Sequence, residues 1–104
     1  PYIGVSIANV SDAKNDFRYY SYVKSLDIDE GILVLDVEKN SPAYNKLKKG
    51  DVITKINDSE TKSTAYFRYE LYKYNINDEI TITYIRDGKV ESTKIKLSKK
   101  NSNI

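Results

Sequence analysis

The sequence predicts an α+β domain in which a curved, largely antiparallel sheet is covered by helices. Three observations carry that expectation. Short stretches bounded by turn residues are either alternately or almost continuously apolar, as strands are. One segment, Thr64 to Tyr74, has an amphipathic stripe instead. Asp87-Gly88 separates two alternating runs, a strong signal for a tight hairpin.

The elements follow in order. Ile3, Val5 and Ile7 alternate with Gly4, Ser6 and Ala8, which gives a strand with one apolar face. Ser11 or Asp12 suits the cap of a following helix or loop, tyrosine-rich and polar, that ends before Asp29-Glu30-Gly31. Ile32 to Val37 is nearly all apolar and β-branched, as in a central strand buried on both faces. Ser41-Pro42 reads as cap and first turn of a short helix running to about Leu47. Lys49-Gly50-Asp51 turns into the strand Val52 to Ile56, and Asn57-Asp58 turns again. Ser63 caps the helix Thr64 to Tyr74, where Phe67, Leu71 and Tyr74 share a face. Ile80 to Ile85 and Val90 to Leu97 form the closing hairpin. Residues 1–98 make one domain, and 99–104 a polar tail.

Composition excludes several classes. With no cysteine there is no disulfide, thiol nucleophile or thiolate metal site. With no histidine, the usual general base and the commonest metal ligand are missing too. A Ser–Lys dyad would remain, but Ser6, Ser92 and Ser98 lie in strand or tail patterns without a strained elbow. No catalytic residue, metal or cofactor is expected. A net charge of +2, with basic residues scattered among acids, does not suit nucleic acid. Asp12, Asp16, Asp27, Asp29 and Glu30 lack the spacing of a calcium loop. No apolar run approaches the ~20 residues that span a bilayer, so no direct membrane insertion is expected. A chain opening on Pro1 reads as a piece of something longer. Asn9-Val10-Ser11 and Asn57-Asp58-Ser59 match the glycosylation pattern, a match common by chance.

Several motifs, taken together, are specific. Gly31-Ile32-Leu33-Val34, Ser41-Pro42-Ala43, Leu47-Lys48-Lys49-Gly50-Asp51-Val52-Ile53 and Ile56-Asn57 follow one another, and Arg86-Asp87-Gly88-Lys89 marks the hairpin tip. In that order they resemble the signature of bacterial-type PDZ domains. The opening Pro1-Tyr2-Ile3-Gly4-Val5 is similar to the PDZ domains of HtrA-family trypsin-like serine proteases. The resemblance covers about residues 1–97. It departs at Asn45-Lys46, where the family has Ala-Gly and where Asn45 or Lys46 must carry a left-handed turn. It departs again at Asp12 to Asp29, which match no family pattern.

The resemblance implies a partly open β-barrel or sandwich of five or six mostly antiparallel strands, in the circularly permuted bacterial order, capped by two or three helices. It also implies a site. Tyr2, Ile3, Gly4 and Val5 would form a carboxylate-binding loop whose N–H groups receive a peptide's C-terminus. Ser6, Ile7 and Ala8 would pair with the ligand strand opposite Thr64, Phe67, Arg68 and Leu71. Ile3, Val5, Ile7, Phe67 and Leu71 would line the pocket for its last, hydrophobic side chain, and Arg68 would favour an acidic ligand residue upstream. Burying that side chain contributes ~1.5–3 kcal/mol and each main-chain bond about 1 kcal/mol. Ordering the peptide opposes both, so binding in the micromolar range, on the order of −8 kcal/mol, is expected.

The implied partners are C-termini of misfolded or regulatory proteins and a protease domain of the same parent chain. The implied location is extracytoplasmic, on a membrane-anchored parent engaged in protein quality control. The alternatives are a PDZ module of a tail-specific protease, of an intramembrane metalloprotease or of a non-proteolytic secretion scaffold. A further alternative is a PDZ-like domain whose closed groove serves only domain packing. Ile104, a hydrophobic last residue, could enter a neighbour's groove.

Overall fold

The computed structural model describes residues 2–99. Six strands form one antiparallel sheet: β1 (Val5–Asn9), β2 (Ile32–Val37), β3 (Val52–Ile56), β4 (Ser59–Glu60), β5 (Glu79–Arg86) and β6 (Lys89–Lys96). Their spatial order is β1-β2-β3-β5-β6, with β4 paired to β3. The three helices are α1 (Val10–Ala13), α2 (Tyr20–Val23) and α3 (Thr64–Leu71). Tyr2, just before β1, bridges Ser98, just after β6. The sheet therefore curls most of the way round, and the expected open-barrel α+β class is borne out.

Apolar periodicity places the core. Ile32 and Val34 of β2 face one cluster together with Ile53, Ile56, Phe67 and Leu71, which lies under α3. Leu33 and Val52 face the opposite side, against Val10, Ala13 and Val23. The unbroken apolar run of β2 thus fills two layers. The segment of residues 12–29, without a family pattern, closes the second layer.

The structure corrects several local expectations. Residues 42–47 form turns rather than a helix: Leu47 N–H and Lys46 N–H both reach the Ala43 carbonyl, at 2.9 and 3.0 Å, and Asn45 then adopts φ 68°. Asn45, not Lys46, takes the left-handed position, which Asn tolerates better than most residues. Residues 10–29 hold two single-turn helices with turns between them. Asn9 precedes α1, so neither Ser11 nor Asp12 caps it. The helix at Thr64 stops at Leu71. The two-residue strand β4, formed by the Asn57-Asp58 turn, is too short to show a period.

Ser63 caps α3 as expected, its Oγ accepting the Tyr66 N–H at 3.2 Å. Asp51 is a buried acid, 2% exposed. Its carboxylate accepts from Arg86 Nε and Nη2 at 2.8 and 2.7 Å and from Lys48 N–H at 2.8 Å. That hydrogen bonding raises the guanidinium pKa further above its ordinary value. The pair pins the turn before β3 to the end of β5. Only Lys99 of the expected tail is among the described residues; residues 100–104, Ile104 included, lie outside them.

Candidate functional site

The loop before β1 is held by its carbonyls. Tyr2 C=O accepts from Ser98 N–H (3.2 Å), Ile3 C=O from Ala43 N–H (2.9 Å) and Gly4 C=O from Glu38 N–H (2.7 Å). All peptide bonds among the described residues are trans. In a planar trans unit the N–H points opposite to its carbonyl. The N–H groups of Ile3, Gly4 and Val5 are therefore turned away from the segments that anchor the loop. Among the described residues, those of Ile3 and Gly4 meet no acceptor.

Gly4 makes this geometry possible. Its φ is +89°, and a Cβ there would fall 2.1 Å from Ser41 Cβ and 2.4 Å from Ser41 Oγ. Ser41 packs directly on the loop, its buried Oγ without a hydrogen-bond partner among the described residues. The Tyr2 hydroxyl donates to the Glu38 carboxylate, closing the loop's flank.

β1 pairs with β2 through one edge only and ends the sheet. Its other edge faces α3. Ser6 is exposed, and Ile7 and Ala8 are half-buried. Register shifts between Ser6 and Ile7, where Leu35 is the extra residue of β2. On α3, Phe67 and Leu71 point into the core, Thr64 is half-buried, and Arg68 is exposed and outside every ion pair among the described residues. The structure thus brings Ile3, Val5, Phe67 and Leu71 into one apolar cluster with Ile7 packed against it, where β1 meets α3. The expected pocket lining differs in one respect. Ile3, Phe67 and Leu71 are 0% exposed and Val5 is 5% exposed, so only Ile7 offers a partly open apolar surface.

Reading the sequence did not single out Asn9 or Ser41 for the site. Asn9 Oδ1 accepts the Thr64 N–H at 2.7 Å, joining the end of β1 to the start of α3, and its Nδ2 donates to Asp12. Asn57 Nδ2 donates to the Tyr74 hydroxyl at 2.8 Å, beyond the other end of α3. Both glycosylation-pattern asparagines are thus engaged through their amides. No local pattern marks the Asn9–Thr64 and Asn57–Tyr74 contacts, since those partners lie 55 and 17 residues apart. No group of three or more candidate metal ligands occurs among the described residues.

A family model for the PDZ domain matches residues 1–97. The chain is a PDZ domain. As such it is a non-catalytic module. It is 36% identical, over its whole length, to "Serine protease Do-like HtrA" of Lactococcus lactis subsp. lactis (strain IL1403), of which it covers 26%. Over 71% of its length it is 33% identical to the "Probable periplasmic serine endoprotease DegP-like" of Rickettsia prowazekii (strain Madrid E), covering 15% of that protein. The PDZ domain therefore spans about a quarter or less of these relatives. Among solved structures, "HtrA-type protease AlgW with decapeptide" matches with a TM-score of 0.77 at 21% identity, over 97% of this chain and 30% of that one. The HtrA3 PDZ domain bound to the phage-derived ligand FGRWV matches with a TM-score of 0.67 at 17% identity, over 93% and 82%. At these identities the two structures speak for the fold.

Proposed function

We propose that this PDZ domain captures peptide C-termini by adding them as a strand along β1, and serves an HtrA-like serine protease as its substrate-recognition or regulatory module. The observation that carries this reading is the loop's anchoring. Three consecutive carbonyls are fixed outward, so three successive N–H groups face the other way at the head of a free strand edge. Such a row of donors suits an anion. Gly4 supplies the backbone angle, and the free edge of β1 supplies the main-chain pairing.

The ligand carboxylate would meet the N–H groups of Ile3, Gly4 and Val5. The ligand strand would follow Ser6, Ile7 and Ala8, and its last, hydrophobic side chain would lie among Ile3, Val5, Ile7, Phe67 and Leu71. Thr64 and Arg68 would face the upstream residues, the guanidinium favouring an acidic one. Ligands of this chemistry are exposed C-termini of misfolded or regulatory proteins. The relatives' names support a serine protease parent, and the periplasmic relative supports an extracytoplasmic setting; a membrane anchor on the parent is part of the same proposal.

The test is an NMR titration with one hydrophobic-ended peptide in free-acid and C-terminal amide forms. Shifts confined to the acid, at residues 3–7 and 64–71, are expected. Equal response to both forms, or none to either, would sink the reading.

A further inference from the structure

The residues expected to line the ligand pocket have no room for a ligand. Ile3, Phe67 and Leu71 are fully buried and Val5 nearly so, all in one apolar cluster. Protein interiors pack as densely as organic crystals, so another aliphatic side chain cannot enter without displacing something. What can move is limited by the attachments. The 38–43 segment and Ser98 hold the carbonyls of residues 2–4, while β2 holds β1 along its length. By contrast, α3 is only eight residues long. From residues 63–74, two hydrogen bonds reach other segments among the described residues, Asn9 Oδ1 to Thr64 N–H at one end and Asn57 Nδ2 to the Tyr74 hydroxyl beyond the other. Of the two walls, α3 has the fewer hydrogen bonds to the rest of the domain, its attachment being mainly the apolar contacts of Phe67 and Leu71.

We propose that the side-chain pocket of this groove is shut in the ligand-free domain and opens when α3 swings away from β1 about the Asn9–Thr64 bond. The inference rests on the peptide-capture reading and adds its regulation. Thr64 lies beside the end of β1, so a pivot there leaves the start of the helix in place. Leu71, at the other end of α3, then travels furthest from Ile3 and Val5. The incoming aliphatic side chain takes up the apolar contacts that Leu71 and Phe67 release, so the open state lasts only while a ligand fills it. The same gate selects ligands: a last residue without a side chain has nothing to pay in to the pocket and gains only the loop's N–H groups.

The experiment is stopped-flow anisotropy with fluorescein-labelled free-acid peptides that differ only in ending in Leu or in Gly. It is run on this chain and on its Tyr74→Phe and Leu71→Ala variants, with methyl relaxation dispersion at Ile3, Val5 and Leu71 of the unmodified chain. A gate makes the observed rate for the Leu-ended peptide level off with concentration. Tyr74→Phe, which removes the Asn57–Tyr74 bond beyond the end that travels, should raise that ceiling about threefold or more, as expected for loss of one neutral hydrogen bond. Leu71→Ala should abolish the ceiling. The methyl dispersion should vanish on saturation with the Leu-ended acid, a readout that survives if Leu71→Ala fails to fold. Rates strictly linear in concentration, equal for both endings and accompanied by no dispersion, would overturn the gate while leaving acid-selective binding intact. If the acid binds no better than its amide, the capture reading itself fails, and the gate with it. In that case the shut groove is a packing surface.

Discussion

Asn9 Oδ1 and the Thr64 N–H meet at 2.7 Å across 55 residues of sequence, so the strand that would receive a ligand and the helix that would cover it share one hydrogen bond. The Thr64 N–H is one of the first-turn donors that an α-helix cannot satisfy internally. Asn9→Ala removes its acceptor and should cost about 1 kcal/mol. Asn9→Asp keeps an acceptor for Thr64 but sets a carboxylate against Asp12, whose Oδ2 now accepts from Asn9 Nδ2 at 3.2 Å. Urea midpoints should rank the natural residue first and Ala last, with Asp gaining on it at high salt.

Gly4→Ala should abolish acid-peptide binding and destabilise the domain. The added Cβ falls on Ser41, and φ +89° is itself strained for Ala. The double variant Gly4→Ala with Ser41→Gly removes the collision but not the strain. Recovery of part of the stability, without full recovery of binding, is the expected outcome in thermal melts and titrations.

Arg68 is exposed and unpaired among the described residues, so Arg68→Glu should leave stability within about 0.5 kcal/mol of the natural chain. Affinity for a hydrophobic-ended peptide with an upstream Asp should fall several-fold, and that for the same peptide with Lys there should rise. Equal affinities for both peptides before and after the change would remove Arg68 from the site.

Asp51→Asn should cost on the order of 3 kcal/mol, because it leaves Arg86 half-buried without its carboxylate. Arg86→Lys should also be destabilising, since an ammonium cannot reproduce the two parallel bonds. The pH dependence follows from the raised pKa of Arg86. A cation whose folded pKa exceeds its unfolded value contributes stability below the unfolded one and loses it only as pH climbs past that value. Arg86 should therefore add no slope to a stability profile measured between neutral and mildly alkaline pH.

Phe17, 93% exposed in the turn between α1 and α2, is the opposite case. Phe17→Ser should change the urea midpoint by no more than about 0.5 kcal/mol of stability. Phe67→Ala, at a fully buried position, should cost ~3–5 kcal/mol.

Period and turn chemistry are local, and they marked out most of the elements from the sequence alone. The alternation of Ile3, Val5 and Ile7, the apolar run of β2, the Ser63 cap and the Asp87-Gly88 hairpin each depend on neighbours within a few residues. Gly4 and the candidate loop came instead from the resemblance to PDZ domains, since alternation alone marks only the start of a strand there. Where the local signal was equivocal, distant partners decided. Pro42 begins a helix as well as a turn, and the left-handed Asn45 ended it after one turn. Residues 12–29 carried only a roughly helical spacing through Phe17, Tyr20 and Val23, and their buried apolar members took shape against Leu33 and Val52 on the back of the sheet. The joining of Asn9 to Thr64, the packing of Ser41 on Gly4 and the complete burial of Phe67 and Leu71 all belong to the tertiary structure. Each is a contact between residues far apart in the chain, and burial is a property of what the fold lays over a residue.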